Sequence, residues 1–235
     1  MNILVQKNLN KFTNNISLLN NEHTIYNLDI EHQLYRLHDV LNINCAIFTM
    51  SKITTEIIQY IVEFHNSVKI IVYHDHINTD FIDTYHKQCV NLVQDHDSKN
   101  AHKIPNLLNE QVFIPSVPKN IKHEIVTFFD NTTDIPEELS PFLYPENKSS
   151  EIKIFNAPKL QHIQNLGMLS EPEKNTILNH SKFFVAVDNA YVVEAIYLGC
   201  KVLTVSELNT KKAETYTKIP EYTTYNNYLK VLLNE

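Results

Sequence analysis

Residues 183–205 read FFVAVDNAYVVEAIYLGCKVLTV, and this stretch decides the fold. Its first five residues, Phe183-Phe184-Val185-Ala186-Val187, form a continuous apolar run of strand length. A run that is apolar at every position suits a strand covered on both faces, as in a parallel sheet. Tyr191–Leu198 follows as a short helical pattern, with Asp188 of the residue type that caps a helix start. Gly199 stands just past its end, where a positive φ is cheap for glycine alone. Lys201–Val205 is strand-like again. Strand, helix and strand in that order predict a parallel α/β unit, with ligands at the carboxyl ends of the strands.

Working outward, six further runs have the same character: Asn2–Val5, Cys45–Thr49, Val68–Tyr73, Val90–Gln94, Ile125–Phe129 and Ile152–Phe155. Helical patterns lie between several of them. Thr54–His65 places Ile57, Ile58, Ile61 and Val62 on one face, with Thr54 or Thr55 as the cap. Ser170-Glu171-Pro172-Glu173 has the composition of a capping box, with proline tolerated in the first turn. The stretch Pro105–Asn120 holds three prolines, Pro105, Pro115 and Pro118, and divides the strand-like runs four and four. The expectation is therefore α/β, with parallel sheets in two Rossmann-like lobes, residues 1–118 and 119–235. The helix-like tail Tyr222–Leu233 has the pattern to pack back on the first lobe.

Composition narrows the function classes. The chain has 235 residues, 43% of them hydrophobic, which is enough for a real core. No apolar run approaches the roughly 18 residues that span a bilayer, and no integral membrane segment or signal peptide is expected. Net charge is −7 and Arg36 is the single arginine, so a basic nucleic-acid stripe is missing and no nucleic-acid partner is expected. Three dispersed cysteines, Cys45, Cys89 and Cys200, fit reduced thiols and a cytoplasmic location. Against a usual glycine content of about 7%, the chain has only Gly167 and Gly199. The accompanying excess of Asn, Ile, Lys and Tyr suggests an AT-rich genome, viral or otherwise.

Several motifs together resemble the GT-B-fold glycosyltransferases, in particular the retaining group-1 (family-4-like) class. Ile104-Pro105-Asn106-Leu107-Leu108-Asn109, followed by Phe113-Ile114-Pro115, resembles the inter-lobe IPNGVD…FxP stretch, with Leu107 in place of the glycine and Asn109 of the aspartate. Asn165-Leu166-Gly167-Met168-Leu169 resembles the G-x-[ILV] strand end. Glu194-Ala195-Ile196-Tyr197-Leu198-Gly199-Cys200-Lys201-Val202 is similar to EAxAxGxPV. Tyr73-His74-Asp75, after a first-lobe strand, is a weaker match to a histidine that many members carry. The motifs keep the family's order and cover His74 to Val205.

The resemblance implies a cleft between the lobes that holds a nucleotide-sugar donor and an acceptor of unknown identity. It places the diphosphate on the N–H groups of Asn189, Ala190 and Tyr191, helped by the helix dipole. It gives Glu194 the ribose hydroxyls and lays Leu166, Gly167 and Met168 along the nucleobase. His74 would bind a hydroxyl of the transferring sugar, and Asp75 would orient it or bind acceptor. Glycosyl transfer through an oxocarbenium-like state rests on positioning and leaving-group stabilisation, and the resemblance implies neither a bound metal nor another cofactor.

The sequence also departs from the family. After Ile125–Phe129 it reads Asp130-Asn131-Thr132-Thr133-Asp134, without a base, which leaves Lys159 as the substitute on the diphosphate. The family's second glutamate falls at Ala186, with Asp188 or Asn189 as stand-in. Lys7-Asn8-Leu9-Asn10 has no glycine. Other readings stay open: a non-catalytic GT-B-like binding or assembly module, and a nucleotide-sugar epimerase of the same shape. Residue by residue, Glu194 can also be read as a plain surface helix residue, and His74 equally as a satisfied loop histidine.

Overall fold

The computed structural model describes residues 1–6, 11–19, 23–28, 42–65, 67–94, 99–129, 136–139, 152–155, 167, 169–187 and 190–233. Lys159, Leu166, Met168, Asp188 and Asn189 lie outside them. The chain forms two compact units, Met1–Leu107 with Thr223–Glu235, and Leu108–Tyr222. Each is α/β with a parallel sheet.

The first unit carries β1 (Asn2–Gln6), β2 (Thr24–Leu28), β3 (Cys45–Thr49), β4 (Lys69–His74), β5 (Cys89–Val93) and β6 (His102–Lys103) in one sheet of order β2-β1-β3-β4-β5-β6. Every pairing is parallel. The continuous apolar runs are explained by alternation, because successive side chains enter opposite layers. Ile3, Val5, Cys45, Ile47, Ile71 and Tyr73 face one core, which α1 (Lys11–Ser17) closes with Phe12 and Ile16. Leu4, Ala46, Phe48, Ile70 and Val72 face the other, closed by α2 (Lys52–Phe64) and by Phe81 of α3 (Thr79–Tyr85).

The C-terminal helix α6 (Tyr225–Leu233) belongs to this unit. Tyr225, Leu229, Leu232 and Leu233 recur at helical spacing and join the layer that holds Phe12 and Ile3. Burying each such side chain stabilises by about 1.5–3 kcal/mol. Against the expected lobes 1–118 and 119–235, the chain thus crosses at Leu107/Leu108 and returns at Tyr222/Thr223. The first crossing falls inside the stretch Ile104–Pro115.

The second unit contains β8 (His123–Phe128), β9 (Ile152–Phe155), β10 (Ser181–Ala186) and β11 (Lys201–Thr204), in the order β11-β10-β8-β9 and again all parallel. The two-residue strands β7 (Leu107–Leu108) and β12 (Thr223–Thr224) form a separate two-stranded sheet. Helices α4 (Glu171–Asn179) and α5 (Val192–Tyr197) bring Leu178, Val192, Val193 and Ala195 onto Val126, Phe128, Phe184 and Val202. The opposite layer joins Ile125, Ile154, Phe183, Val185 and Leu203 to Leu139 and Leu208. The loop Ile114–Ser116 is tied to α4: Asn179 Nδ2 donates to the Ile114 carbonyl at 2.9 Å, and Ser116 N–H donates to Asn179 Oδ1 at 2.8 Å.

All eight expected strands are present, with ends shifted by up to two residues. The sequence reading missed β2, an edge strand whose Thr24, Tyr26 and Asn27 are exposed, so no continuous apolar run marks it. The cap of α2 is Ser51, neither Thr54 nor Thr55. Its Oγ accepts from Thr54 N–H at 3.1 Å, while Thr54 Oγ1 donates to the Thr49 carbonyl. At α4, Ser170 N–H and Oγ–H both donate to the Glu173 carboxylate, at 2.7 and 2.6 Å.

Candidate functional site

The second sheet is built from the middle outward. β9 lies on one side of β8, and β10 and β11 lie on the other. The connections therefore diverge at the carboxyl ends of β8 and β10, the place where open parallel sheets bind ligands. Ala190, Tyr191 and α5 follow β10 at this edge.

Tyr191 is the N-cap of α5 and has φ 63° and ψ 10°, the left-handed region. That backbone costs about 1–3 kcal/mol for a residue with a bulky side chain, so surrounding contacts must hold it. The Tyr191 ring is buried, with its centre 5.7 Å from Phe128 in an edge-on contact and 6.3 Å from Phe113. The phenol donates to Glu171 Oε1 at 2.7 Å and accepts from Lys174 Nζ at 2.6 Å. Lys174 Nζ also donates to Glu171 Oε1 at 2.7 Å, which closes a triangle. Glu171 and Lys174 are both buried, one turn apart on α4. The ammonium lies 4.5 Å from the ring centre as a consequence of its bond to the phenol oxygen.

The far end of α5 is equally specified. Cys200 N–H donates to the Ala195 carbonyl at 2.8 Å and Gly199 N–H to Ile196 at 2.9 Å. This paired closure needs Gly199 at φ 78°. Lys119 Nζ donates to the Leu198 carbonyl at 3.1 Å, placing a cation at the negative end of the helix.

Glu194 lies in the first turn of α5, and solvent reaches 1% of it. It is not a plain surface residue. A ligand touching Glu194 has to displace the groups that cover it. Gly167 has φ 95° and is exposed; a Cβ built there meets nothing within 4 Å, so backbone conformation alone calls for glycine. Tyr191, Ala190 and Glu194 thus gather at the head of α5, in the same unit as Gly167.

His74 and Asp75 stand at the carboxyl end of β4 in the first unit. His74 is a strand residue, not a loop residue, and is 2% exposed. Its Nε2 is 3.0 Å from Asn91 Oδ1, and its ring centre is 5.8 Å from that of Phe81. Its Nδ1 and the Asn91 Nδ2 are buried with no hydrogen-bond partner among the described residues. Burial holds the His74 pKa below its usual value, against the opposing pull of the Asn91 hydrogen bond. Asp75 is exposed. The strand order of the first sheet reverses between β1 and β3, and there Gln6 Oε1 accepts the Thr49 N–H at 2.8 Å. That side chain occupies a donor that a ligand would otherwise meet.

The three thiols are buried and form no disulfide. Desolvation pushes Cys45 and Cys89 up to about 12 and raises Cys200, the last against the pull of Lys119. Such thiols are poor nucleophiles. Among the described residues, no group of three His, Cys, Asp or Glu side chains is arranged to hold a metal ion, and no helix is long and apolar enough to cross a membrane.

Sequence reasoning missed Glu171, Lys174, Asn91 and Gln6. The capping box at Ser170 marks the start of α4 but gives no sign that the next charged residues turn inward. In comparison with known proteins, no family model matches the chain, and no curated protein sequence matches it.

Proposed function

We propose that this protein is a small glycosyltransferase of GT-B type that moves a hexose from a nucleotide sugar to an acceptor. The donor would sit at the carboxyl edge of the second sheet, and His74 and Asp75, at the carboxyl end of β4, would act on the transferring sugar. One observation carries the reading: the β8/β10 divergence leads into α5, whose capped turn holds Tyr191 and whose first turn holds Glu194. Backbone N–H groups at Ala190 and Tyr191 would meet the diphosphate, joined by Asn189, with Lys159 as the base. Glu194 would take the ribose, and Leu166, Gly167 and Met168 would line the nucleobase. No metal or other cofactor enters this scheme.

A second reading is favoured by a specific observation. Lys174, the buried cation against Tyr191, is already paired with Glu171. A site whose cation is neutralised internally fits a binding or assembly module that performs no transfer.

Thermal-shift measurements with UDP-, GDP- and ADP-sugars test the proposal, because a ligand that binds the native state must stabilise it. A rise in Tm with one donor, lost in Glu194→Ala while that variant still folds, is the expected result. No shift with any donor at millimolar concentration rules the transferase out. Release of a free sugar inverted at C2, without acceptor, would indicate the epimerase.

A further inference from the structure

We propose that Glu171 and Lys174 are positioning residues for the turn that heads α5, acting through the Tyr191 phenol. Its functional consequence rests on the donor-site reading above, whereas the turn itself does not. Left-handed backbone is unfavourable for an aromatic residue, and it persists only where the surroundings over-determine it. Two kinds of contact do so here. The ring contacts Phe128 and Phe113, which phenylalanine would satisfy equally. The hydroxyl is fixed in two directions at once, as donor to Glu171 and acceptor from Lys174.

The arrangement goes beyond what packing needs. Burying a carboxylate and an ammonium carries a desolvation penalty that an apolar trio of the same volume avoids. What the charged trio adds is direction. Glu171 and Lys174 bond each other at 2.7 Å from one turn of α4, so the position of the hydroxyl is set by a second, already capped helix. The turn at Ala190–Tyr191 is thereby referred to α4 as well as to its own helix. In the donor reading, those N–H groups are the ones that meet the phosphates, and their aim depends on the triangle.

Tyr191→Phe is the decisive variant, since it keeps the ring and leaves the Glu171–Lys174 pair bonded. Hydrogen exchange of the ligand-free protein is expected to quicken roughly tenfold at Ala195, whose N–H donates to the Tyr191 carbonyl at 2.9 Å, with β8, β10 and β11 unchanged. Lys174→Arg, which keeps a cation at the phenol, is expected to hold near-wild-type rates. Unchanged exchange in Tyr191→Phe, or an equal increase throughout the unit, would overturn the proposal. Calorimetry with UDP-, GDP- and ADP-glucose, at a temperature where the variant is fully folded, adds the functional half: a roughly tenfold loss of affinity supports it. If the wild type binds none of these donors, the transferase reading fails while the exchange result still decides the positioning role.

Discussion

The Tyr191 hydroxyl and the Glu171 carboxylate meet at 2.7 Å across twenty residues of chain, joining the start of α5 to the start of α4. Lys174 completes the contact as its counter-charge. Lys174→Met leaves a buried carboxylate without its cation and is expected to cost about 3–5 kcal/mol. Replacing all three residues together, as Glu171→Leu, Lys174→Met and Tyr191→Phe, should restore stability to near wild type, because no charge is then stranded. Urea unfolding of the wild type, Lys174→Met and the triple variant checks this. A Lys174→Met loss below about 1 kcal/mol would show that the carboxylate is solvated without it.

His74 makes the first unit sensitive to acid. Its folded pKa lies below the ordinary 6.5, chiefly through burial. Above pH 6.5 the residue is neutral in both states. As the pH falls through 6.5 the unfolded chain takes up a proton first, so stability declines. The urea midpoint should fall more steeply from pH 7.5 to 5 in the wild type than in His74→Gln. His123, also lowered by burial and by Lys153, His180 and Lys122, contributes in the same sense and cancels in that difference. Parallel curves would exclude His74 as a source.

Glu207 holds the loop after β11. Its carboxylate accepts Thr204 N–H at 2.8 Å on one oxygen, and Glu214 N–H at 2.9 Å and Thr215 N–H at 2.7 Å on the other. These bonds, led by Thr204, hold its pKa at about 2, below the ordinary glutamate value of 4.5. The contribution is complete above pH 4.5 and is lost as the pH falls toward about 2. Glu207→Gln should make the 204–215 segment more susceptible to limited proteolysis at neutral pH, with the sheet intact. Equal cleavage rates in both proteins would refute this.

Leu229 connects the C-terminal helix to the first sheet. It is 1% exposed in the layer that contains Ile3, Phe12 and Tyr73. Leu229→Ala should destabilise by about 2–5 kcal/mol. Exchange should rise in β1, β3 and β4, with β8 and β10 unaffected, because the lost contacts lie within the first unit. Equal effects in both sheets would mean that the units unfold together.

The sequence by itself determined eight of the strands and the class of the fold. Cys45–Thr49 and Phe183–Val187 are apolar at every position because both faces of a parallel strand are covered, and that pattern is local. Gly199 was legible for the same reason, since a left-handed residue after a helix is a property of a few consecutive positions. The tail was legible as a helix, but only the tertiary structure decided that it completes the first sheet. What seats Tyr191 was also out of reach. Glu171 and Lys174 look in sequence like the solvated first turn of a capped helix. They become buried partners because α4 and α5 pack side by side on one face of the second sheet. The same holds for Asn91, a polar residue inside an apolar strand, which gains its meaning from parallel register with β4 beside His74. Local pattern fixes which segments form elements. Which polar side chains meet inside depends on contacts far apart in sequence, and those exist only once the sheets have formed.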